Sequence, residues 1–523
     1  MTNFTKRQNG PSRRSFLAGS AAAVGAGLIL PQGARAQAQP KKGGTLRVGF
    51  TQGSTSDSLD PATFNNDFMF ASGYAVFNTL TEIAPDGTAQ PDLAESFEAS
   101  SDAATWTFRL RDNAQFSDGK TATANDVIAS IRHHMGPESK SGIKPLLEQI
   151  TDIRADGDKV VIFELAAGNA DFPFIFNDYH LGIRQDTGDG TIDPNSRIGT
   201  GGYVIDVFEP GVRVELTRRD DYWKEGRAHF DKVVILKVGD PAARMNALMT
   251  GEVDLIDRPD LKTINLLGRA PNVKIHTQDG TLHYIMPMQT NTAPFDDMNV
   301  RMALKYGINR EDMIEKVLRG YGTVGNDQPI SRSMPYYNDD LEQITYDPER
   351  AKYHLKQAGL ESLDVTLSTS DAAFNGAVDA SVLFAESARP AGLNIEVKRE
   401  PDDGYWSNVW LQKPFCCSYW GGRPTPDLMF STGYAADAEW NETKWDNERF
   451  NELLLQARPE LDQTRRAEMY GEMQKIVKEQ GGALIPAFGQ YVSAMSESVQ
   501  MPEEVSEMWD LDSQRFIERW WMS

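Results

Sequence analysis

Alternating apolar and polar positions mark the first strand at Thr45-Leu46-Arg47-Val48-Gly49-Phe50-Thr51, which has one buried face. The pattern returns at Trp106 to Arg111, where Trp106, Phe108 and Leu110 point inward and the arginines outward. Asp118-Gly119 makes a turn, and Thr123 with Asp126 forms a capping box for a helix carrying Val127, Ile131 and Met135. Further strands are expected over 159–165, 212–216, 233–238 and 253–256. Asp240-Pro241 opens a helix that Gly251 stops. This strand–helix–strand rhythm is α/β. Tyr284 to Asn291 reads as a strand leaving the first lobe, and Leu484 to Phe488 as the return. Helices are expected after Asp297, Asn309 and Asp347, and around Tyr470, Met473 and Val477, with a strand over 365–368.

The chain has 523 residues, enough for two or three lobes, and its hydrophobic content of 40% supports packed cores. Formal net charge is −22. The first 36 residues carry Lys6, Arg7, Arg13, Arg14 and Arg35 and no acid, which leaves −27 on the rest. That charge argues against nucleic acid and anionic membranes as partners and favours a soluble monomer. Ser12-Arg13-Arg14-Ser15-Phe16-Leu17 reads as a twin-arginine export signal, followed by an Ala/Gly-rich run to Leu30. Ala34-Arg35-Ala36 and Ala36-Gln37-Ala38 both fit a small-x-small cleavage site. The expected location is the periplasm.

Catalytic and metal-binding patterns are missing. His133-His134 lacks zincin spacing, and there is no G-x-S-x-G, C-x-x-C or P-loop. Gly320 to Gly325 matches G-x-G-x-x-G, but a helix precedes it and Asp327-Gln328-Pro329 follows, which is the wrong context for a dinucleotide. Gly199-Thr200-Gly201-Gly202-Tyr203 leads into a strand and reads as a close-packed turn, not a phosphate loop. Asp186, Asp189 and Asp193 lack calcium-loop spacing. Cys416 and Cys417, the only cysteines, read as small buried thiols. No cofactor, metal site or enzymatic activity is expected.

Ser418-Tyr419-Trp420-Gly421-Gly422-Arg423-Pro424-Thr425-Pro426-Asp427 concentrates the chemistry that remains. The glycine pair allows close backbone approach. Trp420 and Arg423 suit a flat or anionic guest. Trp406, Trp410, Trp420, Trp440 and Trp445, five of the ten tryptophans, fall nearby in sequence. The stretch reads as one wall of a ligand pocket; the plainer alternative is an aromatic core with a tight turn.

Several blocks, in order, resemble the extracytoplasmic solute-binding proteins of peptide-, opine- and nickel-type ABC transporters. They are Gln90 to Phe97, Trp106 to Arg111, Phe116-Ser117-Asp118-Gly119, Ala124 to Val127, Gly199 to Tyr203, Asp221-Tyr222-Trp223 and Gly251 to Asp254. Pro294 to Asp297, Val300 to Leu304, Tyr346-Asp347-Pro348 and Ala358-Gly359 continue the series. Ser117 stands where the family usually has histidine. The resemblance implies a two-lobed α/β fold of three parts. Residues 37–84, 195–284 and 486–523 would form one lobe, 85–194 an inserted domain, and 285–485 the other lobe, with two crossings as the hinge. It implies capture of a small solute and delivery to membrane permease subunits.

Peptide binders of the family carry Trp-x-x-Asp at this stretch, the aspartate pairing with the peptide ammonium. Here Trp420 is kept and Arg423 replaces the aspartate. A pocket of reversed charge should reject a free ammonium and take a carboxylate. The ligand-binding candidates are therefore Trp420, Arg423, Tyr419, Gly421 and Asp427, with Trp406, Tyr405, Asn65, Asn66 and Phe68 as weaker ones. The expected guest is peptide-like or opine-like and bears a carboxylate. The alternatives are an oligosaccharide or metal chelate on the same fold, and a secreted hydrolase.

Overall fold

A computed structural model describes residues 40–523 except Asp403. The twin-arginine stretch and its cleavage sites lie outside the described residues.

The first strand, Thr45–Phe50, sits in the middle of a seven-stranded sheet. Across that sheet the order is Val273–Gln278, Tyr491–Ser496, Leu255–Asp257, Thr45–Phe50, Lys232–Lys237, Arg213–Arg218 and Tyr203–Glu209. Thr45–Phe50 runs parallel to both neighbours, and the outer pairs are antiparallel. Leu46, Val48, Val233, Ile235, Val214 and Leu216 form the buried face, and the C-terminal Phe516, Ile517 and Trp520 close over it. Asp240 caps the helix Pro241–Thr250, and Gly251, at φ 78°, ends it in the left-handed conformation that glycine adopts without strain.

Residues 94–165 form a separate four-stranded antiparallel sheet, ordered Ala94–Ala99, Thr105–Leu110, Val160–Leu165, Ile150–Ala155. Trp106, Phe108 and Leu110 are buried as their alternation requires. The capping box at Thr123 and Asp126 is formed, with both Thr123 groups donating to the Asp126 carboxylate. A buried ionic network ties the segment just before this sheet, Glu82 to Asp92, to the first lobe and to the C-terminal tail. Lys224 Nζ lies 3.0 Å from Glu82, 2.9 Å from Asp92 and 3.2 Å from Glu518. Arg519 bridges Glu82 and Asp512. The Gly199–Gly202 turn is close-packed: a Cβ on Gly199 or Gly201 would strike the backbone of Ala75 and Val76.

The third sheet is ordered Gly322–Val324, Ala487–Gly489, His283–Ile285, Ser418–Trp420. Beside it runs the parallel pair Leu363–Thr369 and Leu393–Arg399. The crossings differ from expectation. Residues 283–288 and 482–488 pair with each other within this region, continuing past the sheet through Met286 N to Leu484 O at 2.8 Å and Met288 N to Gly482 O at 2.9 Å. The chain passes from the first sheet to the third at 279–282 and returns at Gln490. An apolar extended run looks the same in sequence whether it crosses or pairs. The two crossings are joined by Gln490 Nε2 donating to Asp279 Oδ1 at 2.7 Å.

Candidate functional site

Ser418–Trp420 is a short strand whose alternation sends Ser418 and Trp420 inward and leaves Tyr419 exposed. It pairs with His283–Ile285, so Trp420 lies opposite His283 and Tyr419 opposite Tyr284. The Trp420 indole N–H donates to Glu442 at 2.6 Å, and the Trp410 indole N–H donates to the other oxygen of the same carboxylate, also at 2.6 Å. Burial pushes the Glu442 carboxyl above its ordinary range, while these two indole N–H groups pull it back. Trp406, Trp440 and Tyr419 surround this pair at 40%, 42% and 44% exposure, so the aromatic cluster has an open side. Its rings meet edge-on, Trp406 with Tyr419 at 5.7 Å and Trp410 with Trp440 at 6.1 Å.

The two glycines after Trp420 differ. A Cβ on Gly421 would meet nothing within 4 Å. A Cβ on Gly422 would collide with Thr281 Oγ1 and come within 3.3 Å of the Met508 carbonyl. Gly422 thus presses the loop against the crossing at Thr281 and against Met508-Trp509. The half-buried Arg423 follows, its Nη1 donating to the Gly422 carbonyl at 3.0 Å and its Cζ 5.6 Å from the centroid of the Trp420 ring. It forms no ion pair with any described residue. Burial lowers its pKa, countered only by Tyr179. Thr425 caps the helix Pro426–Gly433, which fixes where the loop ends.

Asp427 is in the first turn of that helix, buried and 3.3 Å from Arg458, whose Nη2 also reaches Ser431 at 2.6 Å. Burial raises the Asp427 carboxyl to about 6 against the pull of Arg458. This carboxylate is committed to the protein rather than offered to a guest.

Other candidates are also corrected. Tyr405 is fully buried and its hydroxyl donates to the Cys417 carbonyl at 2.8 Å, so it belongs to the core. Phe68 is wholly buried under the first sheet. Asn66 caps the helix Asp67–Val76 through Met69 N and donates to Asp57 at 2.8 Å. Asn65 is exposed and accepts from Asn66. Cys416 and Cys417 are buried free thiols raised by burial, as expected.

Sequence reading missed the wall facing the Arg423 loop. Phe70, Tyr179 and Trp509 stack there, with Phe70 and Tyr179 at 3.7 Å and Tyr179 and Trp509 at 5.4 Å. Beneath them Arg258 sits between two acids, 2.6 Å from Asp67 and 3.7 Å from Asp510. Burial and then Asp510 raise Asp67 to about 8, opposed by Arg258. Arg258 adopts φ 40°, and Leu511, Asp512, Ser513 and Gln514 are consecutive left-handed residues, a strained arrangement found where structure serves a site. No local motif announces these residues. The one legible sign was the Trp-rich context on both sides of Glu442. A shallow cavity of about 540 Å³ beside the parallel strand pair, lined by Thr366, Arg389 and Glu396, shares no residue with this site.

Sheets joined by two crossings, with a cationic aromatic loop facing an aromatic wall, define a two-lobed α/β binding protein. The family model for bacterial extracellular solute-binding proteins, family 5 (middle) matches residues 88–442. The chain belongs to that family. It is 27% identical over 479 residues to the dipeptide-binding protein of Escherichia coli, covering 84% of this chain and 86% of that one. The structure of HbpA2 from Haemophilus parasuis superposes with a TM-score of 0.81 at 20% identity, over 92% of this chain and 100% of that one. The binding protein AgaA from A. tumefaciens R10, solved with agropinic acid, superposes with a TM-score of 0.69 at 23% identity, over 92% and 99%.

Proposed function

We propose that this protein is the periplasmic solute-binding component of an ABC importer, exported by the twin-arginine route. In this reading it captures a small peptide-like or opine-like solute through that solute's carboxylate. It works as a monomer, by lobe closure and without turnover, and hands the solute to permease subunits. Closure is a population shift driven by the ligand's higher affinity for the closed form.

The observation that carries the reading is Arg423. A half-buried guanidinium without a carboxylate partner among the described residues has lost hydration and gained no ion pair, so an anion entering beside it restores that loss. Trp420 itself is buried, and the exposed rings of Tyr419 and Trp406 beside it give the body of the solute an apolar surface. The acid best placed in sequence to hold an ammonium, Asp427, is already paired with Arg458. One relative is named a dipeptide-binding protein, and the structural neighbour AgaA was solved with agropinic acid, which accords with a small organic acid here. Among the described residues no group of three or more His, Cys, Asp or Glu could hold a metal ion.

A thermal-shift panel of free dipeptides, N-blocked amino acids, opines, sugars and metal chelates tests this. A ligand at 100 times its Kd stabilises by about 2.7 kcal/mol, a visible shift. Shifts confined to carboxylates are expected, and Arg423→Ala, by weakening the affinity by ~2–5 kcal/mol, should abolish most of the shift at the same ligand concentration. Shifts with free dipeptides that survive Arg423→Ala would refute the reading.

A further inference from the structure

We propose that Tyr179 is the second anchor for the solute's anionic group, holding it from the wall opposite Arg423. The proposal rests on the reading of Arg423 as an anion site and adds the residue that completes it.

Tyr179 starts a short 3-10 turn, Tyr179–Leu181, capped by Asp178. Its ring is clamped by stacking on Phe70 at 3.7 Å and Trp509 at 5.4 Å. Trp509 in turn abuts Gly422, the residue before Arg423, with its indole nitrogen 3.6 Å from where a Gly422 Cβ would stand. The wall carrying Tyr179 and the loop carrying Arg423 therefore meet through one tryptophan. Within this junction the Tyr179 hydroxyl makes no hydrogen bond with any described residue, and Arg423 bonds only the carbonyl of its neighbour. Of the nearby acids, Asp178 accepts from the His180 backbone at 2.9 Å through Oδ1, which also lies 2.6 Å from the His180 Nδ1, and Asp67 is held by Arg258. Burial and Asp178 keep the phenol protonated, so it remains a donor.

A neutral donor and a guanidinium that lacks an ion pair among the described residues suit a carboxylate, with the hydroxyl donating to an oxygen that the guanidinium neutralises. The rigid ring costs little ordering on binding. An ammonium at the same end of a solute would meet the guanidinium and be repelled. The class of solute is thus one whose carboxylate leads into the cleft, with its body lying toward the exposed rings of Tyr419 and Trp406.

Isothermal titration of agropinic acid, N-acetyl-dialanine and succinate would be run against wild type, Tyr179→Phe, Arg423→Gln and the double variant. Tyr179→Phe keeps the ring and the stack, so the melting temperature without added probe should hold. Its affinity for the tightest of the three anions should fall about tenfold, the usual size for a lost bond to a charged group. Arg423→Gln should cost more, and the double variant less than the product of the two, because both residues hold one carboxylate. If Arg423→Gln weakens binding while Tyr179→Phe matches wild type, the Tyr179 assignment fails and the Arg423 reading stands. Strictly multiplicative losses would overturn the shared carboxylate. If none of the three anions binds, or if neither single variant weakens binding, both readings fall.

Discussion

Glu442 accepts the Trp420 indole N–H at 2.6 Å while also accepting that of Trp410, so one buried carboxylate sets the orientation of two rings. No described cation pairs with it, and the two indoles are its compensation for burial. A glutamine offers one acceptor oxygen and turns its amide donor toward one of the indoles. Glu442→Gln is expected to cost ~1–3 kcal/mol in a urea melt and to change tryptophan emission. Glu442→Leu, which leaves both N–H groups unpaired, should cost more. Wild-type stability and emission in both variants would show that the indoles are fixed by packing alone.

Gly421 and Gly422 make a matched pair. Alanine at 421 meets open space, whereas alanine at 422 meets Thr281 and the Met508 carbonyl. Gly421→Ala should leave stability within about 0.5 kcal/mol and ligand affinity unchanged. Gly422→Ala should lift the Arg423 loop from the opposite wall and weaken binding at least tenfold, with a smaller change in melting temperature. Equal effects from the two variants would count against the contact.

Asp67 gives a pH dependence of defined sign. Its folded pKa, about 8, lies above the ordinary 3.8 of an aspartate. Between those values the folded state holds a proton that the unfolded chain has released, so stability from this group falls as pH rises from about 4 to about 8. Asp67→Asn should remove that fall, gaining roughly 1–3 kcal/mol at pH 8 and little at pH 5. Chemical denaturation at the two values measures it, and an equal effect at both would refute the raised pKa.

Lys224 neutralises Glu82, Asp92 and Glu518 at 3.0, 2.9 and 3.2 Å in a buried setting. Lys224→Met leaves these three carboxylates with Arg515 and Arg519 as their cations and should cost ~3–5 kcal/mol. Adding Asp92→Asn should recover part of that loss, because the neighbouring charges are coupled. A simple sum of the two effects in denaturant melts would show that the groups are not coupled.

The secondary structure was legible where the signal is local. The alternation at Trp106, Phe108 and Leu110, the capping box at Thr123 and Asp126 and the stop at Gly251 were read from residues within one turn or strand of each other, and each is formed. The crossings were misplaced because 283–288 and 482–488 pair with each other across some two hundred residues of chain. Trp420 and Arg423 were picked out because they flank the glycine pair in sequence. Tyr405, Asn66, Phe68 and Asp427 were chosen by neighbourhood and turned out to serve a carbonyl, a helix cap, the core and Arg458.

By itself the sequence determined the α/β class, the order of the family's blocks and the reversed charge at Arg423, since all of these reside in residue type and short-range spacing. Tertiary structure alone decided that Arg423 stays unpaired among the described residues, that Glu442 aligns two tryptophans, and that Tyr179 and Trp509 face the loop. Those outcomes depend on which distant segments share a surface. Hydrogen bonding and desolvation are settled between neighbours in space, and the chain order does not specify them.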